Sequence, residues 1–212
     1  HKIGAVLSLT GAYGAHGVPI SRAAQLGVEQ VNEARAALGV GCDLVYDVRD
    51  SNTQASLAVD AARKLIDLEG VTALVGPISS GITAPLLSSV TVEKDVFVVA
   101  TASTSSTFTQ MAKRGETKGL FFRTLSSDSL QAVAAAMMAY EAGFRKPAII
   151  YFNNDWGKNN QAGFIDAFKA LGGEIANSVA FNPDQPSYRS EITKTLEDNP
   201  DSLYMLSNTQ DG

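Results

Sequence analysis

Hydroxyl side chains crowd one short stretch of this chain: Thr101, Ser103, Thr104, Ser105, Ser106, Thr107 and Thr109. They follow the apolar run Val96-Phe97-Val98-Val99. A second polar loop, with Ser79 and Ser80 before Gly81, follows another apolar run, Ala73-Leu74-Val75. Ser and Thr donate and accept hydrogen bonds without adding charge, which suits a small-ligand site. Other loops hold flat side chains. Tyr13 and His16 follow the first apolar run, and Trp156, the sole Trp, follows Asn153-Asn154-Asp155. Such rings commonly wall small-molecule pockets; for Trp156, surface or interface packing is the alternative.

Chemistry that makes or breaks bonds finds no support in the residues. Gly11, Gly14 and Gly17 have the spacing G-x-x-G-x-x-G rather than G-x-G-x-x-G. The next acidic residue at a strand end, Asp47, lies much further on than the dinucleotide fingerprint's distance of about 20 residues. No Lys-Ser/Thr pair of a phosphate-binding loop follows a glycine-rich turn. A turn that opens space for a ligand and a purely structural turn both fit these glycines. A nucleophile elbow needs G-x-S-x-G, and Pro77 occupies the first glycine position around Ser79. The two histidines, His1 and His16, make neither a metal-ligand cluster nor an evident partner for a serine. No metal and no cofactor is expected, and the chain is not read as an enzyme.

These loops require strands to hold them, and the hydropathy pattern supplies strands alternating with helices. Strands are expected over 3–9, 44–48, 71–75 and 96–99. Helices are expected from about Pro19 to 37, after the capping stretch Asp50-Ser51-Asn52-Thr53, and over 82–92, with Pro19 and Pro85 each in a first turn. Ala24, Gly27, Val28 and Val31 would share one face of the first helix, and Leu57, Ala61, Leu65 and Leu68 one face of the second. An irregular stretch over 100–119 follows. The alternation then restarts with 120–123 extended, a helix over 129–142 capped by 126–128, a strand over 147–152, a helix over 156–171, a strand over 174–181, a helix over 187–197 and a strand over 203–206. The reading is α/β, with two Rossmann-like lobes of parallel strands and right-handed crossovers. The boundary falls near 120–125: lobe 1 over 1–122 and a partial lobe 2 over 123–212.

Composition narrows the partners. The 212 residues are 45% hydrophobic, which is ample for a core and argues against disorder. The formal net charge is −5, and the basic residues do not cluster, so nucleic acid is not an expected partner. The single cysteine, Cys42, excludes an intramolecular disulfide and reads as a half-buried residue beside a strand. No stretch reaches the roughly 18 consecutive apolar residues of a membrane span. The chain opens on His1 rather than Met, as a cleaved exported protein or a trimmed one would.

In order along the chain, several short motifs resemble one family. They are Ile3-Gly4-Ala5-Val6 with Thr10-Gly11-Ala12-Tyr13-Gly14, Asp60-Ala61-Ala62-Arg63-Lys64-Leu65-Ile66, Val75-Gly76-Pro77-Ile78-Ser79-Ser80, and Ala102-Ser103-Thr104. Phe122-Arg123-Thr124 with Ser127-Asp128, Asn154-Asp155-Trp156-Gly157, Ala170-Leu171-Gly172-Gly173 and Ser187-Tyr188-Arg189 continue the series. Together they resemble the type I periplasmic solute-binding proteins of ABC importers, in the branch that binds leucine, isoleucine and valine. The resemblance implies two lobes closing on a solute by a hinge, a permease as partner, a periplasmic location after removal of a signal peptide, and an amino-terminal fragment of a longer family member. It implies that Ser80 and Thr104 hold a carboxylate, that the Ala102 carbonyl accepts from an ammonium, and that Ser79 and Ser103 in the same two loops also bind the ligand. Tyr13 and His16 would flank the solute from lobe 1, and Trp156 and Asn208 from lobe 2. His16 stands where the amino-acid binders often carry a bulky aromatic residue, so a carboxylate with an aromatic or polar body also fits. The same fold serving as the sensing domain of a receptor or regulator is the alternative.

Overall fold

A computed structural model describes residues 1–41, 43–183 and 185–208. Cys42 lies outside the described residues, so its reading has no structural counterpart. The chain separates into two compact units, His1–Thr104 with Phe108–Ser126, and Ser105–Thr107 with Ser127–Gly212.

The first unit is a five-stranded, wholly parallel sheet in the order β2-β1-β3-β4-β5. Its strands are β1 (Lys2–Leu7), β2 (Val45–Asp50), β3 (Ala73–Val75), β4 (Phe97–Ala100) and β5 (Phe121–Arg123). Side chains of a strand alternate between faces, and β1 divides accordingly. Val6 enters one core with Leu74 and Val98, beneath α2 (Ala55–Arg63) and α3 (Ser80–Leu86). Ala5 and Leu7 enter the other core with Ile78, Tyr46 and Val48, beneath α1 (Gly14–Ala37), which contributes Ile20.

Several local expectations shift. In α2 the buried residues are Ala58, Ala61 and Ala62, followed by Leu65 in the π-helical turn Lys64–Leu68, while Leu57 and Leu68 are exposed. The small alanines let α2 lie close to the sheet, with Leu57 on its outer side. The helix over 82–92 is α3 followed by a π-helical turn, Leu87–Thr91, with Pro85 inside α3 rather than in its first turn. Helix α1 starts at Gly14, so Pro19 also lies inside a helix and His16 is helical. The stretch after residue 100 is not wholly irregular: α4 (Ser106–Lys113) carries Phe108 and Met111 into the core shared by Val6 and Val98.

The second unit has a three-stranded parallel sheet, β7-β6-β8, from β6 (Pro147–Phe152), β7 (Ser178–Phe181) and β8 (Ser202–Leu206). Helices α5 (Ser129–Glu141) and α6 (Asp155–Ala170) pack on it through Ala136, Phe164 and Phe168 around Ile149. Asp128 stands at the start of α5 without capping it by its side chain. Its carboxylate accepts from Asn160 Nδ2 at 2.9 Å instead, which ties α5 to α6. A short helix, α7 (Arg189–Thr195), completes the unit. Among the described residues no helix is long and apolar enough to cross a membrane.

Candidate ligand-binding site

Parallel pairing puts the carboxyl ends of β1, β3 and β4 side by side on one edge of the first sheet. Tyr13 and His16 follow β1, Ser79 and Ser80 follow β3, and Ala102, Ser103 and Thr104 follow β4. In open α/β sheets this edge is where ligands bind. In the second unit β6 and β8 are parallel neighbours. Trp156 follows one and Asn208 the other, again at the carboxyl edge.

The loops after β3 and β4 form one stitched platform. Gly76 N donates to Val99 O at 2.8 Å, and Thr101 N to Pro77 O at 3.2 Å. The Ser103 hydroxyl lies 3.1 Å from Ile78 O and 2.6 Å from the Thr83 hydroxyl, which in turn lies 3.0 Å from Ser79 O. Each hydroxyl has one proton, so the chain runs from Thr83 through Ser103 to Ile78 O, or from Ser103 through Thr83 to Ser79 O. Arg123 on β5 braces the far side, donating to Ser103 O at 3.3 Å and to Thr109 Oγ1 at 2.8 Å. Thr124 donates to Thr101 O at 2.9 Å. A side chain at Gly76, whose φ is +97°, would place Cβ 2.3 Å from Val6 O. That leaves glycine as the residue for this approach.

The predicted contacts thus differ in what they present. Ser103 is 0% exposed, and its hydroxyl is turned inward to hold the two loops together. Ser80, the first residue of α3, is 2% exposed. A hydroxyl so shielded from water sits where hydrogen bonds are electrostatically strong. Ser79, Ala102 and Thr104 are half-buried. Tyr13 is half-buried against the Ala5, Leu7 and Ile78 cluster. Its ring centroid is 6.5 Å from that of His16, which is exposed on the first turn of α1.

The loop between β1 and α1 has its own support at the end of β2. Asp50 accepts from Leu9 N at 2.9 Å, from Thr10 N at 3.2 Å and from the Thr10 hydroxyl. Burial opposes ionisation of Asp50, but the bonds from Thr10, Asn52 and Leu9 outweigh it and hold the carboxyl below its ordinary pKa. Glycines 11 and 17 have structural explanations. A Cβ on Gly11 would lie 2.7 Å from Asn52 O, and one on Gly17 would lie 1.8 Å from Ser8 O.

In the second unit Asn154 caps α6, its Oδ1 accepting from Gly157 N at 2.8 Å. Trp156 stands in the first turn of α6 and packs against the Ile150, Phe152 and Phe181 cluster. Asp155 Oδ1 accepts from Thr107 at 3.0 Å, and Asn159 Oδ1 accepts from Ser106 at 3.0 Å. Ser106 and Thr107 of the hydroxyl-dense stretch are therefore spent on α6. Asn208 is half-buried, two residues beyond β8. Among the described residues no group of three or more His, Cys, Asp or Glu side chains could hold a metal. Thr83, Arg123, Thr124, Asp50 and Thr53 support these loops, a role the sequence does not assign to any of them. Arg123 and Thr124 stand in a family motif, and the capping chemistry of 50–53 points to a helix rather than to a ligand loop.

The profile of the family described as "Periplasmic binding protein" matches residues 1–212. This chain belongs to the type I periplasmic binding protein family. The Leu/Ile/Val-binding protein BraC3 of Rhizobium johnstonii is 31% identical over 208 residues, covering 95% of this chain and 53% of its own length. A leucine-binding protein of Thermotoga maritima superposes with a TM-score of 0.82 at 24% identity, covering 96% of this chain and 55% of that one. An R. palustris ABC-transporter solute-binding protein in complex with benzoate superposes with a TM-score of 0.78 at 20% identity, covering 98% and 55%. This periplasmic binding protein chain spans about half the length of those relatives. At such identities the two structures speak for the fold.

Proposed function

We infer that the protein of which this chain is part is an exported solute-binding protein. It captures an amino acid of the branched-chain type, or a related small carboxylate, and delivers it to an ABC-importer permease. The observation that carries this reading is the stitched platform, where the β3 and β4 loops bring Ser79, Ser80, Ala102 and Thr104 to one sheet edge. Hydroxyl and amide donors bind a carboxylate by charge-assisted hydrogen bonds and, being neutral themselves, leave it free to dissociate. In this role Ser80 and Thr104 hold the carboxylate, the Ala102 carbonyl accepts from an ammonium where the solute has one, and Tyr13 and His16 flank its body. Trp156 and Asn208 complete the contacts as the lobes close about their hinge. The name of the Rhizobium relative supports an amino acid, and the benzoate complex of the R. palustris neighbour supports a wider class of carboxylates. The family is one of solute-binding proteins, so no covalent step is assigned. A periplasmic site of action follows from the same reading. Titration of the full-length protein with leucine, isoleucine, valine, benzoate and 4-hydroxybenzoate tests it. One of them is expected to bind with a 1:1 stoichiometry, and heat from none would overturn the assignment.

A further inference from the structure

We propose that the turn after β2, acting through Asp50 and Thr53, is the positioning element for the loop that carries Tyr13 and leads into the first turn of α1, where His16 stands. This rests on the solute-binding reading above and deepens it. The turn is anchored to β1 first: Ser51 N donates to Leu7 O at 2.8 Å, and the buried Ser51 hydroxyl lies 3.2 Å from the same carbonyl and 3.1 Å from the Ser8 hydroxyl. From that anchor Asp50 receives the amides of Leu9 and Thr10, and its Oδ1 also closes the turn on Asn52 N at 2.8 Å. Thr53 grips the loop from the other side. Its hydroxyl accepts from Tyr13 N at 3.2 Å and donates to Thr10 O at 3.1 Å. Gly11 lies so close to the Asn52 carbonyl that no Cβ would fit between them.

The backbone supports a role beyond simple chain reversal. Asn52 and Thr53 have φ of +46° and +56°. Asn tolerates the left-handed region, whereas a β-branched residue there is an outlier that costs free energy. Glycine would remove that cost. Thr53 stands in a conformation that disfavours it, and the two hydrogen bonds of its hydroxyl to the solute-facing loop are what it gains there.

The substitution Thr53→Gly separates positioning from stability, because it relieves the backbone while releasing the loop. In the full-length protein, its thermal midpoint is expected to stay within about 2 °C of wild type or rise. Amide hydrogen exchange at Thr10–Tyr13 is expected to accelerate roughly tenfold, and affinity for whichever of leucine, isoleucine, valine, benzoate and 4-hydroxybenzoate binds the wild type to fall roughly tenfold. Thr53→Ser keeps the hydroxyl and should restore both. Unchanged exchange in Thr53→Gly, or faster exchange with unchanged affinity, overturns the positioning role alone. Failure of the wild-type protein to bind any of leucine, isoleucine, valine, benzoate and 4-hydroxybenzoate overturns the solute-binding reading and this proposal with it.

Discussion

Two hydroxyl protons, on Thr83 and Ser103, are shared among the carbonyls of Ile78 and Ser79 and the contact between the hydroxyls themselves. Removing one hydroxyl leaves buried acceptors without a donor, at a cost of about 1–3 kcal/mol. Ser103→Ala is therefore expected to lower stability by that amount in denaturant unfolding, and a change below about 0.5 kcal/mol would contradict the stitching role. Trp156 offers a separate residue-scale test. It is the sole indole, half-buried beside Phe152 and Phe181. If its ring also meets the solute, intrinsic fluorescence of the full-length protein shifts when a verified ligand is added. A silent titration would leave it a packing residue of the second lobe.

At the scale of elements, each lobe repeats one device at the junction of strand and helix. Gly17, in α1, faces the Ser8 carbonyl just past β1. Gly157, in α6, faces the Phe152 carbonyl at the end of β6, where an added Cβ would lie 2.1 Å away. The helix comes down onto the carboxyl end of the preceding strand, and only a residue without Cβ permits that approach. Gly17→Ala and Gly157→Ala are each expected to destabilise by about 1–3 kcal/mol through overpacking, whereas Gly27→Ala, where an added Cβ meets nothing within 4 Å, is expected to be neutral or stabilising. Equal midpoints for all three in thermal unfolding would contradict this account. The alternation of strands and helices was legible because apolar runs and capping residues are local signals. The G-x-x-G-x-x-G spacing was legible as a turn, but its reason was not, since the atoms that demand Gly11 and Gly17 belong to Asn52 and Ser8. The same distance in sequence hid the inward turn of Ser103, which depends on Thr83 and the loop after β3. Periodicity picks out Ala61 and Leu65, which are buried, but also Leu57 and Leu68, which are exposed, in place of Ala58 and Ala62.

For the whole molecule, the proposed recognition rests on the loops at the carboxyl edge of the first parallel sheet. Binding should depend on neutral donors in the loops after β3 and β4, and on a solute that carries a carboxylate. Calorimetric titration of the full-length protein and of its Ser80→Ala and Thr104→Ala variants, using the branched-chain amino acids and hydroxybenzoates, measures this directly. The account predicts that at least one of these carboxylates binds and that each variant weakens it by about 1–3 kcal/mol. Binding by none of them, or an affinity unchanged in both variants, would contradict it.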